Sequence, residues 1–426
     1  MDVTTQSSST PTIVRTGAFR FILLYLVLYN LPFPFGDALP GTWLRGASDG
    51  LWQAIVPWVG REIMHLAQYV QALNTGSGDT TFDYVKALIF AALSLLGAAL
   101  WTVLDRKPRE HASLREALRI YVRYALAFTM LHYGLQKVFP LQFGPPTPDR
   151  LLQTYGESSP MGLLWTFMGA SPLYRVFGGV SEMLGGALLL SRRTTTVGAL
   201  VVVAVMTNVL MLNFGYDVPV KLYTMHLLAM AAFLVWPDVG RLANVLVLNR
   251  ATQAAIHRPR FALHSRERAL FATKIVFVVY LVGSTAFTNW KAQWLYGTKV
   301  PRPALYGAWD VVSFTRSGGV VPPLITDGTR WRLVTLNTAT YLRVRKMTDE
   351  KQGYTVVYDG QQLTLQERPG GRTRATLTYE RPTPDQLLLS GELDGEPTAM
   401  TLKRRDEEPL LLSRGFRWIA AEPLNR

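Results

Sequence analysis

Long apolar runs fill the chain as far as Asn289, and short alternating runs replace them after Pro301. A bilayer span needs about 20 apolar residues. Runs near that length cover about 19–35, 83–104, 119–140, 171–190, 194–213, 218–236 and 271–289, predicting seven transmembrane helices. Arg15 and Arg20 precede the first run, which also fits a signal peptide. No small-x-small cleavage site follows and further spans lie downstream, so a retained span is expected. Residues 1–14, rich in Ser and Thr, read as a disordered cytoplasmic tail. Between the first two spans, Trp52, Ile55, Val59, Ile63, Leu66, Val70 and Leu73 recur at helical spacing, predicting an amphipathic helix on the outer membrane surface.

From Trp309 onward the period falls to that of strands. Eight segments alternate: 309–314, 331–336, 341–347, 354–358, 361–367, 374–380, 386–393 and 397–404. Turn signals such as Asp359-Gly360, Gly370-Gly371 and Asp394-Gly395 separate them. In 374–380, Ala375, Leu377 and Tyr379 share one face, and Arg374, Thr376, Thr378 and Glu380 the other. Eight strands in hairpin succession predict an up-and-down antiparallel barrel or sandwich over 304–426. Its opening Tyr306-Gly307-Ala308-Trp309 resembles the start of lipocalin-type barrels. The fold class is therefore mainly α, a seven-helix membrane domain over 15–295, with a C-terminal β-domain.

Composition sharpens this reading. The chain has 426 residues, 49% of them hydrophobic and only 17% charged. It lacks cysteine, which excludes disulfides, thiolate-bound zinc and iron–sulfur clusters. Of the net charge of +14, +12 lies before residue 305, where 27 basic residues face 15 acidic ones. The beta region is nearly balanced, at 17 against 15. Basic groups concentrate at Arg106, Lys107, Arg109, Arg115, Arg119 and Arg123, at Arg192-Arg193, and at Arg241, Arg250, Arg258, Arg260, Arg266 and Arg268. That is the positive-inside pattern rather than a nucleic-acid groove. It places the N-terminus in the cytoplasm and the β-domain outside.

The connection from Asn213 to His226 is the richest in chemistry, with Tyr216, Asp217, Lys221 and His226. Ionisable groups at membrane depth are costly and read as functional candidates. A helix rise of about 1.5 Å per residue puts His132 and His226 at similar depth, with Gln136 on the face of His132. Glu182 falls near the midplane, on the face of Arg175. Glu182, His132 and His226 are the candidate catalytic or proton-relaying groups. Gln136, Lys137, Tyr174, Arg175, Asn213, Tyr216, Asp217 and Lys221 are the candidate ligand-binding groups, in one pocket of the outer bundle. Structural readings stand beside these. The cations can snorkel, Asp217 and Lys221 can pair at a helix start, and the histidines can satisfy helix carbonyls. A bis-histidine haem on His132 and His226 has no supporting motif, and no metal-ligand set is evident.

His132-Tyr-Gly-Leu-Gln-Lys137, Glu182-Met-Leu-Gly-Gly186 and Asn213–Lys221 with its Tyr-Asp-Val-Pro-Val-Lys core are similar to motifs of the DoxX-like family of bacterial membrane proteins. The resemblance covers about 124–242. It implies a four-helix bundle in the inner membrane and a link to quinone or redox chemistry, with a quinone as the cofactor and a redox protein as partner. The expectation is an oxidoreductase subunit in which Glu182 or His132 relays protons. The alternatives are a non-enzymatic lipid carrier, in which the barrel passes ligand to the bundle, and an assembly scaffold recruiting a partner through its β-domain. The aromatic end, Ser413–Trp418 and Glu422–Arg426, reads either as a packed terminus or as a docking segment.

Overall fold

The structure is a computed structural model describing residues 10–34, 42–66, 70–72, 75–105, 111–253, 264–405 and 409–425. Residues 1–9 of the expected tail, Leu73, and the basic positions Arg106, Lys107, Arg109, Arg258 and Arg260 lie outside the described residues, as does the Arg266 side chain. The chain forms two units. One comprises Met1–Gln142 with Leu173–Ala292, and the other Phe143–Pro172 with Gln293–Arg426.

The first unit is helical. Helix α1 (Thr10–Asn30) begins inside the segment read as a tail. Next come α2 (Thr42–Trp58), prolonged by a single π-helical turn at Val59–Ile63, then α3 (Thr81–Leu104) and α4 (Ala112–Val138). After α5 (Pro148–Leu151) and α6 (Pro160–Ala170), which belong to the second unit, follow α7 (Pro172–Leu189), α8 (Thr195–Gly215), α9 (Lys221–Val235), α10 (Val239–Leu246) and α11 (His264–Leu295). Helix α3 starts at a capping box. Thr80 Oγ1 accepts from the Asp83 N–H, and the Asp83 carboxylate accepts from the Thr80 N–H. Asp79, one residue earlier, caps a different helix: its carboxylate accepts the N–H groups of Lys221 and Leu222 at 2.8 and 2.9 Å, at the start of α9.

Among the described residues four helical stretches are long and apolar enough to cross a membrane: Thr81–Leu104, Thr195–Gly215, Lys221–Leu246 and Arg268–Leu295. Leu93, Leu95, Leu96, Leu100 and Leu104 stand exposed along α3, the surface that hydrocarbon would cover. The structure does not establish seven spans. Helices α4 and α7 fall short of that apolarity because charged positions are set into them: Arg115, Glu116, Arg119, Arg123 and Lys137 in α4, Arg175 and Glu182 in α7.

The expected amphipathic helix is helical only as far as Ile63, as α2 and its π turn, with Trp43 and Trp58 exposed and with Leu66 and Val70 beyond its end. Its inner side packs on α3: Trp52 meets Phe90 edge-on at 4.7 Å, and Val56 is fully buried in a cluster with Val70, Phe82 and Val85. The main helical core joins Val122, Leu126 and Met130 of α4 to Leu189, Val202 and Met206, and to Leu227, Met230 and Leu234 of α9. Helices α4 and α7 approach closely at glycines. A Cβ on Gly134 would lie 2.6 Å from the Gly179 carbonyl oxygen, and one on Gly186 would lie 2.8 Å from that of Ala127.

The second unit is an eight-stranded antiparallel barrel. Its strands are β1 (Gly307–Arg316), β3 (Trp331–Thr338), β4 (Tyr341–Lys346), β5 (Lys351–Asp359), β6 (Gln362–Gln366), β7 (Thr373–Thr383), β8 (Gln386–Leu393) and β9 (Glu396–Arg404), with a two-residue β2 (Gly319–Val320) hairpinned onto β1. Each strand pairs with the next. The circle closes through β1 and β9, from Trp309 opposite Arg404 to Arg316 opposite Thr398, which decides barrel over sandwich. A register shift between Val311 and Ser313 bends β1. Beside it the buried Arg330 guanidinium donates to the carbonyls of Val311, Val312 and Val321. The interior is filled by Trp309, Phe314, Trp331, Leu336, Leu377 and their neighbours, so it is a packed core rather than a lipocalin-like ligand cup.

The excursion between α4 and α7 docks on this barrel. The Asp149 N–H donates to Asn337 Oδ1 at 3.0 Å, and its carboxylate pairs with Arg343 at 2.5 Å. Lys351 donates to Glu157 at 2.8 Å. The barrel unit is therefore built from two separated pieces of chain.

Candidate functional site

Lys137 is the last cation of α4, and Glu182 lies in the middle of α7. The glycine contacts bring their backbones close enough for the side chains to meet edge to edge. Lys137 Nζ donates to both Glu182 oxygens, at 2.9 and 2.8 Å, with the two residues only 7% and 3% exposed. Arg175, also buried and on the Glu182 side of α7, donates from Nε to the Lys137 carbonyl oxygen at 3.1 Å. These three groups satisfy one another where a lone charge would carry a large desolvation cost.

Lys137 also lies 5.9 Å from the Tyr133 ring centroid. Tyr133, one turn earlier on α4, meets Tyr223 of α9 with ring centroids 6.0 Å apart. Three residues further along α9 is His226. A carbonyl can only accept, so His226 Nδ1 carries the proton given to Leu222 O at 2.7 Å. In the neutral ring Nε2 then accepts from the Tyr25 hydroxyl at 2.6 Å. Tyr29 stacks on the same imidazole, with centroids 3.9 Å apart and planes within 3°. A line of polar groups thus runs from Glu182 through Lys137, Tyr133 and Tyr223 to the His226–Tyr25–Tyr29 group of α9 and α1.

Tyr133 and Tyr223 also face a cleft of about 570 Å³, which His132 lines with Phe33, Phe128, Leu131 and the α11 positions Leu281, Thr285 and Asn289. The Gln136 amide donates to His132 Nε2 at 2.9 Å. Asn289 is 5% exposed, and its Nδ2 has no hydrogen-bond partner among the described residues.

The single pocket expected from the sequence is therefore divided. Lys137, Arg175 and Glu182 form one cluster, and His226 belongs to another through the tyrosines. His132 sits on the cleft, and Gln136 is hydrogen-bonded to it. Asn213 is a structural link, its Nδ2 donating to Thr224 Oγ1 at 2.9 Å. Asp217 is 83% exposed and pairs with Lys221 at 2.9 Å, so both belong to the start of α9 near its surface. Tyr174 points outward beside Phe177, and Tyr216 is half-buried at the end of α8. A haem on His132 and His226 does not fit, since both ring nitrogens of His226 are engaged.

The sequence reading missed several members. Tyr25, Tyr29 and Tyr133 are given no role by their place in the sequence, and Asn289 marks only the end of an apolar run. Arg20, read as a basic flank, is 1% exposed and reaches Thr102, Asp105 and His111 at 3.0, 2.6 and 3.2 Å, below the Trp101 ring. A tyrosine four residues from another on α1, and an Arg within rather than before an apolar run, were the available signals.

Fold and site together define a helical-bundle protein with four candidate membrane spans, a buried polar line and an attached eight-stranded barrel. The chain belongs to the family of the uncharacterized protein YwoB of Bacillus subtilis, with which it shares 32% identity over 136 residues, 32% of this chain and 86% of YwoB. No protein-family model matches the chain, and no solved structure matches it.

Proposed function

We propose that this protein is a DoxX-like membrane protein that binds a quinone-like ring in the cleft of α4, α9 and α11, as a subunit of a redox process. In this reading α1, α4 and α7 cross the bilayer with the four apolar stretches, in a bacterial inner membrane. The N-terminus is cytoplasmic and the barrel lies on the opposite side. The charged groups of α4 and α7 are compatible with that depth because the deep ones are paired.

The observation that carries the proposal is Asn289 Nδ2, a buried donor with no partner among the described residues, on a cleft that Phe33, Phe128, Tyr133 and Tyr223 line together with Arg45, His132 and hydroxyl and aliphatic side chains. A buried unpaired donor costs about 1–3 kcal/mol unless a ligand or water accepts from it. A quinone carbonyl is such an acceptor, and Phe33, Phe128, Tyr133 and Tyr223 suit the ring. Reduction of a quinone takes up electrons and protons in equal number. The polar line offers a proton path to Tyr133 and Tyr223, while electrons come from a redox-protein partner, since this chain has no cysteine and no cofactor motif.

The test is purification in mild detergent, with mass spectrometry and an absorption spectrum of the organic extract. The expected result is a quinone that Asn289→Leu protein loses. An extract with phospholipid and no quinone favours the lipid-binding alternative, for which the apolar walls of the cleft speak. The scaffold alternative rests on Phe416, Trp418 and Ile419, which are 78–92% exposed instead of forming a packed terminus.

A further inference from the structure

A second cavity, of about 470 Å³, lies toward the other end of α4 and has a different character. Arg119 and Arg123 of α4, Arg192 and Arg193 of the α7–α8 turn, and Arg241 of α10 all line it. Two carboxylates share the site. Asp238 lies 2.8 Å from Arg241 and 3.3 Å from Arg119, and Glu116 lies 3.3 Å from Arg192. Five guanidinium groups against two carboxylates leave the cavity in positive excess. Arg123 is the deepest, 6% exposed, with its NH1 3.5 Å from Thr195 Oγ1. Concentrating that much like charge in one recess is unfavourable for the empty protein and favourable for an anion.

The backbone adds to the same field. Helix α8 begins at Thr195, on the cavity wall, and its cap residue Thr194 turns its hydroxyl to the Leu188 carbonyl instead of to the first-turn N–H groups. The positive end of a 21-residue helix thus joins the arginines. Guanidinium forks match the oxygen geometry of phosphate better than that of a small spherical anion.

What lies beside the arginines selects among phosphates. Val245 and Leu246 line the cavity too, and with Val247 and Leu248 they form an apolar strip at the end of α10, each residue at least half exposed. A free phosphate would leave this strip in water, whereas acyl chains would cover it. We propose that the cavity is a binding site for a phosphate group carried at the membrane surface, the headgroup of an anionic phospholipid. Basic recesses between membrane helices take such headgroups. This site is separate from the cleft at Asn289 and stands whether or not that cleft binds a quinone.

The test uses the full chain in detergent, titrated with phosphatidylglycerol, phosphatidylcholine or inorganic phosphate, and followed by native mass spectrometry and thermal unfolding. Phosphatidylglycerol is expected to bind and to raise the unfolding midpoint, and phosphatidylcholine to do neither. Arg192 and Arg193 are exposed, so the Arg192→Gln, Arg193→Gln double variant should fold and bind phosphatidylglycerol about tenfold to thirtyfold more weakly. The same charge change in the barrel, Arg332→Gln with Arg372→Gln, should leave affinity unchanged. Equal binding of both lipids, or equal loss in both double variants, would overturn the proposal. Stabilisation by inorganic phosphate as great as by the lipid would overturn the lipid assignment and make this a soluble-phosphate site.

Discussion

Lys137 Nζ bridges both carboxylate oxygens of Glu182, 45 positions away, and so ties α4 to α7 inside the helical unit. Removing one partner of a buried pair strands the other, at about 3–5 kcal/mol. Glu182→Ala and Lys137→Ala should therefore each lower stability by that order in denaturant unfolding in detergent. Replacing both together, Lys137→Met with Glu182→Leu, should recover most of the loss. If ligand binding stays absent in that stable double variant, the pair serves function as well as fold.

The glycine contact that allows the pair makes its own prediction. Gly134→Ala places a methyl 2.6 Å from the Gly179 carbonyl oxygen, so the helices must separate and the Lys137–Glu182 bond must lengthen. A cost of about 1–3 kcal/mol is expected for such overpacking. Gly215→Ala, with nothing within 4 Å of the new methyl, is the control and should unfold like the parent.

Asp79 caps α9 from a distant part of the chain, and its carboxylate also lies 3.7 Å from Lys221 Nζ. Asp79→Ala should cost about 1–2 kcal/mol by loss of the cap. Hydrogen exchange should locate the effect in the first turn of α9, with the barrel unchanged. Uniform exchange across both units would contradict the assignment.

Docking of the 143–172 excursion on the barrel should depend on acid pH. The Lys351 ammonium, with Thr154, holds the Glu157 carboxyl down at about 2, below its ordinary 4.5. A depressed carboxylate contributes its stabilisation fully above the unfolded value and loses it as pH falls toward the folded one. Proteolytic protection of the excursion should therefore weaken between about pH 4.5 and 2. Glu157→Gln should show the weakened level at neutral pH already, and no step in that window.

The barrel strands were legible because each rests on a local period. Ala375 and Leu377 point inward while Arg374 and Thr376 do not, and Asp359-Gly360 marks its turn without reference to anything distant. The apolar runs of α3, α8 and α11 were legible for the same reason. Glu182 was recognisable as a group that needed a partner, but its partner was not identifiable. Arg175 shares its helix face, yet the approach of α4 at Gly134 and Gly179 gives it Lys137 instead.

By itself, then, the sequence determined the elements: where the chain is apolar for the length of a bilayer, where it alternates, and which charges stand where charge is costly. Those properties depend on neighbours within a few residues. Only the tertiary structure decided that β1 meets β9, that Asp79 caps α9, that Arg20 turns inward to Asp105, and that His226 meets Tyr25 and Tyr29 while Asp217 faces out. Each of these joins groups far apart in the chain. Their pairing energy exists only once packing has removed the water between them, and a linear pattern does not encode that.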